Sequence, residues 1–141
     1  MGTRSTYRVI DSYEYQEKIH NKKLVHVYFQ YDGYPNGHPL DVAKWLSEGM
    51  LVNGIGIVDD RLIFNGAGCL AAQFISKYKD GPGGVYIQSA DSFGESWEDY
   101  LYDIIVEGGK KIKMIAYENG DKRKMIFEGT PQEFVAWAEK E

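Results

Sequence analysis

The chain has one cysteine, four prolines and no apolar run near the eighteen or so residues that cross a bilayer as a helix. The lone cysteine excludes an intramolecular disulfide and suits a reducing compartment. No apolar signal segment opens the sequence, so the cytoplasm is expected, with no membrane partner. Positive charge is also short: 16 Lys and Arg face 21 Asp and Glu, for a formal net charge of -5. Broad electrostatic binding to DNA or RNA polymers, which needs a dense basic face, is thereby disfavoured. His20, His26 and His38 show no ligand spacing with one another or with Cys69, so neither a metal nor a cofactor is expected.

What is present is ordinary globular composition, with 43% hydrophobic residues and one excess, eleven tyrosines among 141 residues. That length fits one domain. Arg4 to Ile10 and Lys23 to Tyr31 read as strands, joined across the polar stretch Asp11 to Lys22 as an antiparallel hairpin. Beyond Pro39, the positions Leu40, Val42, Ala43, Trp45 and Leu46 recur at helical spacing until Gly49. Leu51 to Asp60, carrying Asn53-Gly54 and Gly56, reads as a turn or irregular crossing, and Arg61 to Phe64 as a short strand. A second helix is expected over Ala67 to Tyr78, ending before Asp80-Gly81-Pro82-Gly83-Gly84.

Val85 to Ser89 and Trp97 to Val106 read as strands, and turns at Gly108-Gly109 and Asn119-Gly120 continue the second through Ile112 to Tyr117 and Lys122 to Phe127 as a meander. Thr130-Pro131-Gln132-Glu133 carries a capping hydroxyl, a proline at the first helical position and a glutamate three residues after the cap, which opens a third helix. The expectation is a single α+β domain over residues 1–141, with a mainly antiparallel sheet, about three helices and a C-terminal β-meander.

Two loops are the candidates for chemistry. In the first, Tyr31, Asp32, Tyr34 and His38 alternate aromatic and polar groups: a base could stack on the tyrosines while Asp32, Asn36 or His38 hydrogen-bonds its edge or a ribose. The plainer reading is that Phe29 and Tyr31 fill the core and Asp32-Gly33 makes a turn. In the second, Asn65, Gly66, Gly68 and Cys69 precede a helix whose unpaired amides suit a phosphate or carboxylate, although the spacing is neither a P-loop nor a dinucleotide fingerprint. Its glycines serve equally well in a tight strand-to-helix turn.

Cys69 at a helix start, approached by His38, would make a nucleophilic pair; beside Leu70, Ala71 and Ala72 it reads instead as a small packing residue. An anionic ligand needs local cations, and Arg4, Arg8, Arg61 and Lys77 lie in or beside the flanking elements. Arg4 and Arg61 join the candidate set. The run Lys110, Lys111, Lys113 with Lys122, Arg123 and Lys124 reads as an exposed, edge-protecting face of the meander.

Gly2-Thr3-Arg4-Ser5, Gln30-Tyr31-Asp32-Gly33-Tyr34-Pro35-Asn36-Gly37-His38, the step Val52-Asn53-Gly54 and the stretch Asn65 to Gln73 resemble a family of short phage and bacterial proteins, over roughly the first ninety residues. Small phage proteins of this size include sponges that sequester nucleotide immune signals and enzymes that degrade them. The resemblance therefore implies, by analogy of context, an anti-defence protein that binds a cyclic oligonucleotide or a cyclic ADP-ribose derivative. A homo-oligomer is expected, because 141 residues form limited pockets alone. The alternatives are cleavage of such a nucleotide, with Cys69 or a Tyr/His/Asp cluster at work, and protein-binding inhibition of a host enzyme.

Overall fold

Alternation in the first strand sets the two sides of the molecule. Tyr7 and Val9 are buried on one side, while Thr6, Arg8 and Ile10 point to the other and are also largely covered. A strand buried on both sides belongs in the middle of a sheet. The computed structural model describes residues 2–52, 62–95 and 97–140, and in it this strand, β1 (Ser5–Tyr15), lies at the centre of six.

Its hairpin partner is β2 (Lys18–Phe29), and its other neighbour is β6 (Tyr100–Glu107), which pairs with it in parallel from Ser5↔Tyr100 to Ser12↔Glu107. Antiparallel neighbours extend the sheet outward: β5 (Val85–Ile87) beside β2, then β7 (Lys111–Asn119) and β8 (Arg123–Gly129) beyond β6, giving the order β5-β2-β1-β6-β7-β8. A second, two-stranded parallel sheet joins β3 (Met50–Val52) to β4 (Ile63–Asn65). The fold is α+β with a mainly antiparallel sheet and a C-terminal meander, as expected. The parallel pair at its centre was not.

Helices α1 (His38–Glu48), α2 (Gly66–Tyr78) and α3 (Pro131–Ala138) supply the remainder of the main core. Val42, Ala43, Trp45 and Leu46 of α1, Leu70, Ala71 and Phe74 of α2, and Phe134 and Ala138 of α3 meet Tyr7, Val9, Val27, Phe29, Tyr102, Ile104, Val106, Met114 and Ala116 of the sheet. The capping box before α3 is formed: Glu133 N–H donates to Thr130 Oγ1 at 3.1 Å, and Thr130 N–H to Glu133 Oε1 at 2.9 Å.

Asp11 to Lys22 is not a loose connection. It continues both strands into a ribbon closed by Gln16 and Glu17 at φ 52° and 64°, the positive values of a two-residue hairpin turn. The stretch is polar because the ribbon runs past β6, beyond the helices, with water around it. β6 starts at Tyr100 rather than Trp97, because Trp97 has φ 65° and is 85% exposed. The turn expected around Asn53-Gly54 and the residue Arg61 lie outside the described residues.

Candidate functional site

Between β2 and α1, the chain from Gln30 to His38 is wound tightly against the end of the sheet. Asp32 takes φ 57°, and its carbonyl accepts the His38 N–H at 3.0 Å, while Gly37 N–H donates to the Tyr34 carbonyl at 2.8 Å. Gly33 N–H donates to Thr3 O at 3.0 Å, and Tyr102 hydroxyl donates to Gly33 O at 2.6 Å. Both glycines are required by space: a Cβ on Gly33 would overlap the Ser5 side chain, and one on Gly37 would overlap the Asp32 carbonyl. Close packing therefore fixes the loop and pushes Tyr34 and Asn36 outward, where Tyr34 is 40% exposed.

His38 is held inside this winding. Its ring stacks on Phe29 at 4.4 Å; Nδ1 lies 2.6 Å from Tyr7 Oη and Nε2 lies 3.2 Å from Ser5 Oγ. Burial pushes the Tyr7 phenol well above its usual pKa, so Tyr7 stays protonated. A neutral imidazole donates through one ring nitrogen and accepts through the other, and both hydroxyls can serve either role. The same burial lowers the His38 pKa to about 4, opposed by the nearby Asp41 carboxylate, and the imidazole is neutral at pH 7. Asp41 itself accepts a hydrogen bond from the Tyr78 hydroxyl at 2.8 Å.

Tyr34, Pro35 and Asn36 form one wall of a solvent-open cleft of about 350 Å³. Tyr100 of β6, Glu118 of β7, Ile126 of β8 and Trp137 of α3 form the other. Trp137 is steadied by stacking on Phe127 at 5.0 Å and by the edge of Phe134 at 5.3 Å. Tyr100 and Glu118 are cross-strand partners, and Glu118 is paired in turn with Lys124, so the three share one face of the sheet. Glu118 lines the cleft, and both Glu118 and its cross-strand neighbour Lys124 are exposed. Tyr100, Glu118, Ile126 and Trp137 went unread as site residues because the meander and the last helix read as scaffold.

The second loop is built differently. Gly66 has φ 81° at the strand-to-helix turn, which explains that glycine, whereas a Cβ on Gly68 would meet nothing within 4 Å. Asn65 precedes α2 without a side-chain cap bond. Cys69 Sγ–H donates to Gln73 Oε1 at 3.2 Å and is half-buried. Phe29, which carries His38, packs against Phe74 and Tyr78 in the C-terminal half of α2, each at 5.9 Å. At 1.5 Å rise per residue, Cys69 lies about 13 Å from Tyr78 along the helix axis. The two loops flank different ends of α2, and no hydrogen bond or ring contact joins them among the described residues.

Of the remaining candidates, Arg4 and Tyr31 line a small hollow of about 150 Å³ with Gly2 and Gln30. The Arg4 N–H donates to Asp99 Oδ2 at 3.3 Å, and its carbonyl accepts the Asp99 N–H at 2.9 Å. Tyr31 is 61% exposed. Arg61 lies outside the described residues.

Arg8 is consumed elsewhere. On the sheet face opposite the helices it makes two bonds to Asp103, 2.6 and 2.7 Å, and its guanidinium sits 3.7 Å from the centre of the Phe93 ring. Phe93 packs on this face, and there Thr6 hydroxyl donates to buried Glu98 at 2.7 Å. Arg123 donates to Phe93 O at 3.0 Å.

Comparison with protein-family models, with curated proteins and with solved structures finds no match. No helix among the described residues is long and apolar enough to cross a membrane. The functional reading therefore rests on the geometry of the cleft.

Proposed function

We propose that the protein is a binding module that sequesters a small nucleotide signal, of the cyclic oligonucleotide or cyclic ADP-ribose type, and acts as a phage anti-defence protein. The observation that carries this reading is the cleft lined by three rings, Tyr34, Tyr100 and Trp137, together with Glu118. A base stacks on such rings, and its edge meets a hydrogen-bonding group. Lys124, on the same sheet face as Glu118, supplies the positive charge that an acidic chain must place locally for a phosphate.

Sequestration is favoured over turnover because the reactive side chains are already engaged. Both ring nitrogens of His38 are taken by Tyr7 and Ser5, Ser5 is fully buried, and the Cys69 thiol is bonded to Gln73 rather than to a base. The open cleft covers a small ligand on one side, and a second copy of the chain completes the enclosure in this reading.

Calorimetric titration against cyclic dinucleotides, cyclic trinucleotides and cyclic ADP-ribose isomers tests the proposal. Binding by at least one, with intact ligand recovered by chromatography after the protein is denatured, is the expected result. Altered ligand would mean turnover, and absence of heat across the whole panel would overturn the reading.

A further inference from the structure

Resting on the nucleotide-binding reading above, we propose that the cleft selects guanine, with Glu118 accepting the two adjacent N–H groups of its Watson–Crick edge. The polar group placed by the sheet among the aromatic walls is a carboxylate at the end of β7, cross-strand from Tyr100. An ionised carboxylate only accepts hydrogen bonds, and it accepts two in parallel when the partner presents neighbouring donors. Guanine does so through N1–H and its 2-amino group. Adenine presents one amino donor beside the N1 lone pair, which a carboxylate repels, and cytosine and uracil likewise place an acceptor next to a donor or flank the donor with carbonyls.

The surroundings keep Glu118 suited to this task. Its side chain is exposed, no hydrogen bond or ion pair to it occurs among the described residues, and Asp99 lies along the same rim with Thr3, Asn119 and Gly120 in an adjoining hollow of about 380 Å³. Two nearby carboxylates and three rings favour a flat group that is rich in donors over one that is rich in acceptors. Lys124, cross-strand from Glu118 on β8, is the cation on this face nearest in register to receive the phosphate end of the ligand.

The experiment titrates the wild-type protein and Glu118→Gln with guanosine, inosine and adenosine, and with cyclic di-GMP and cyclic di-AMP, following chemical shifts or heat. Inosine tests the 2-amino group alone, since it keeps N1–H. The wild type is expected to bind guanosine about tenfold more tightly than inosine and to prefer the guanine dinucleotide to the adenine one. Glu118→Gln should weaken guanosine by about tenfold, leave adenosine little changed, and so erase most of the preference. Glu118 is solvent-exposed, and an unchanged thermal transition will show that the variant is folded. Binding of all bases with equal affinity, unaffected by Glu118→Gln, overturns guanine selection while leaving the base-binding cleft in place. Failure of every nucleoside and dinucleotide to bind overturns guanine selection, and failure of the cyclic trinucleotides and cyclic ADP-ribose isomers as well overturns the nucleotide-binding reading.

Discussion

Tyr7 and His38, 31 positions apart, share a 2.6 Å hydrogen bond between the phenol oxygen and imidazole Nδ1. The bond ties the central strand of the sheet to the first residue of α1, and it fixes the loop that forms one wall of the cleft. Desolvation has lowered the His38 pKa from 6.5 to about 4, which gives this contact a pH signature.

Above pH 6.5 the imidazole is neutral in both folded and unfolded chains. As the pH falls below 6.5 the unfolded chain binds a proton that the folded one refuses until about pH 4, so stability declines across that interval. The shift corresponds to roughly 3 kcal/mol at most. Urea midpoints measured at pH 7 and pH 4.5 should fall for the wild type. His38→Gln should be less stable at pH 7 and lose less on acidification; an equal loss in both would remove His38 as the cause.

The two glycine loops should respond oppositely to alanine. Gly37→Ala drives a methyl group into the Asp32 carbonyl and should cost about 1–3 kcal/mol. Gly68→Ala adds a methyl group in open space within the first turn of α2 and should be neutral or stabilising by up to about 1 kcal/mol. Thermal unfolding of the two variants decides this, and a comparable loss in both would contradict the packing described.

Much of this was legible from residue patterns. The helical spacing of Leu40 to Leu46, the capping box at Thr130 and the Gly108-Gly109 turn each specify their element locally, and each element forms. The ribbon beyond Asp11 was not legible, because Gln16 and Glu17 turn it without glycine or asparagine, and neither face has a core to impose apolar alternation. The parallel β1–β6 pair joins residues about 95 positions apart, a relation that no local pattern encodes. For the same reason, only half of the cleft could be read: Tyr34 announces itself in a turn motif, whereas Glu118 and Trp137 become neighbours of it only when the sheet closes.

Asp103 is buried and Arg8 largely covered, and removing Arg8 leaves the Asp103 carboxylate without a cation, held only by the Tyr117 hydroxyl at 3.4 Å. Arg8→Met should cost about 3–5 kcal/mol, whereas Arg8→Met combined with Asp103→Asn should recover a substantial part of that loss. A double-mutant cycle by denaturant titration checks this. Equal destabilisation by the single and double variants would show that the charge itself is not what the pair satisfies.

Trp137→Ala should weaken ligand binding by about tenfold or more, since stacking on an aromatic residue contributes about 1–3 kcal/mol per base. The side chain also packs on Phe127, so the unfolding temperature must be measured alongside. Tyr34→Ala, on a 40% exposed residue in the opposite wall, separates the effects: it should reduce affinity with little change in stability.

The most direct measurement is a map of amide and indole chemical shifts during titration with cyclic di-GMP. The account predicts changes that concentrate at Tyr34, Asn36, Tyr100, Glu118 and the Trp137 indole, on both walls of the cleft. Changes that concentrate instead at Asn65 to Cys69, at the far end of α2, would contradict it.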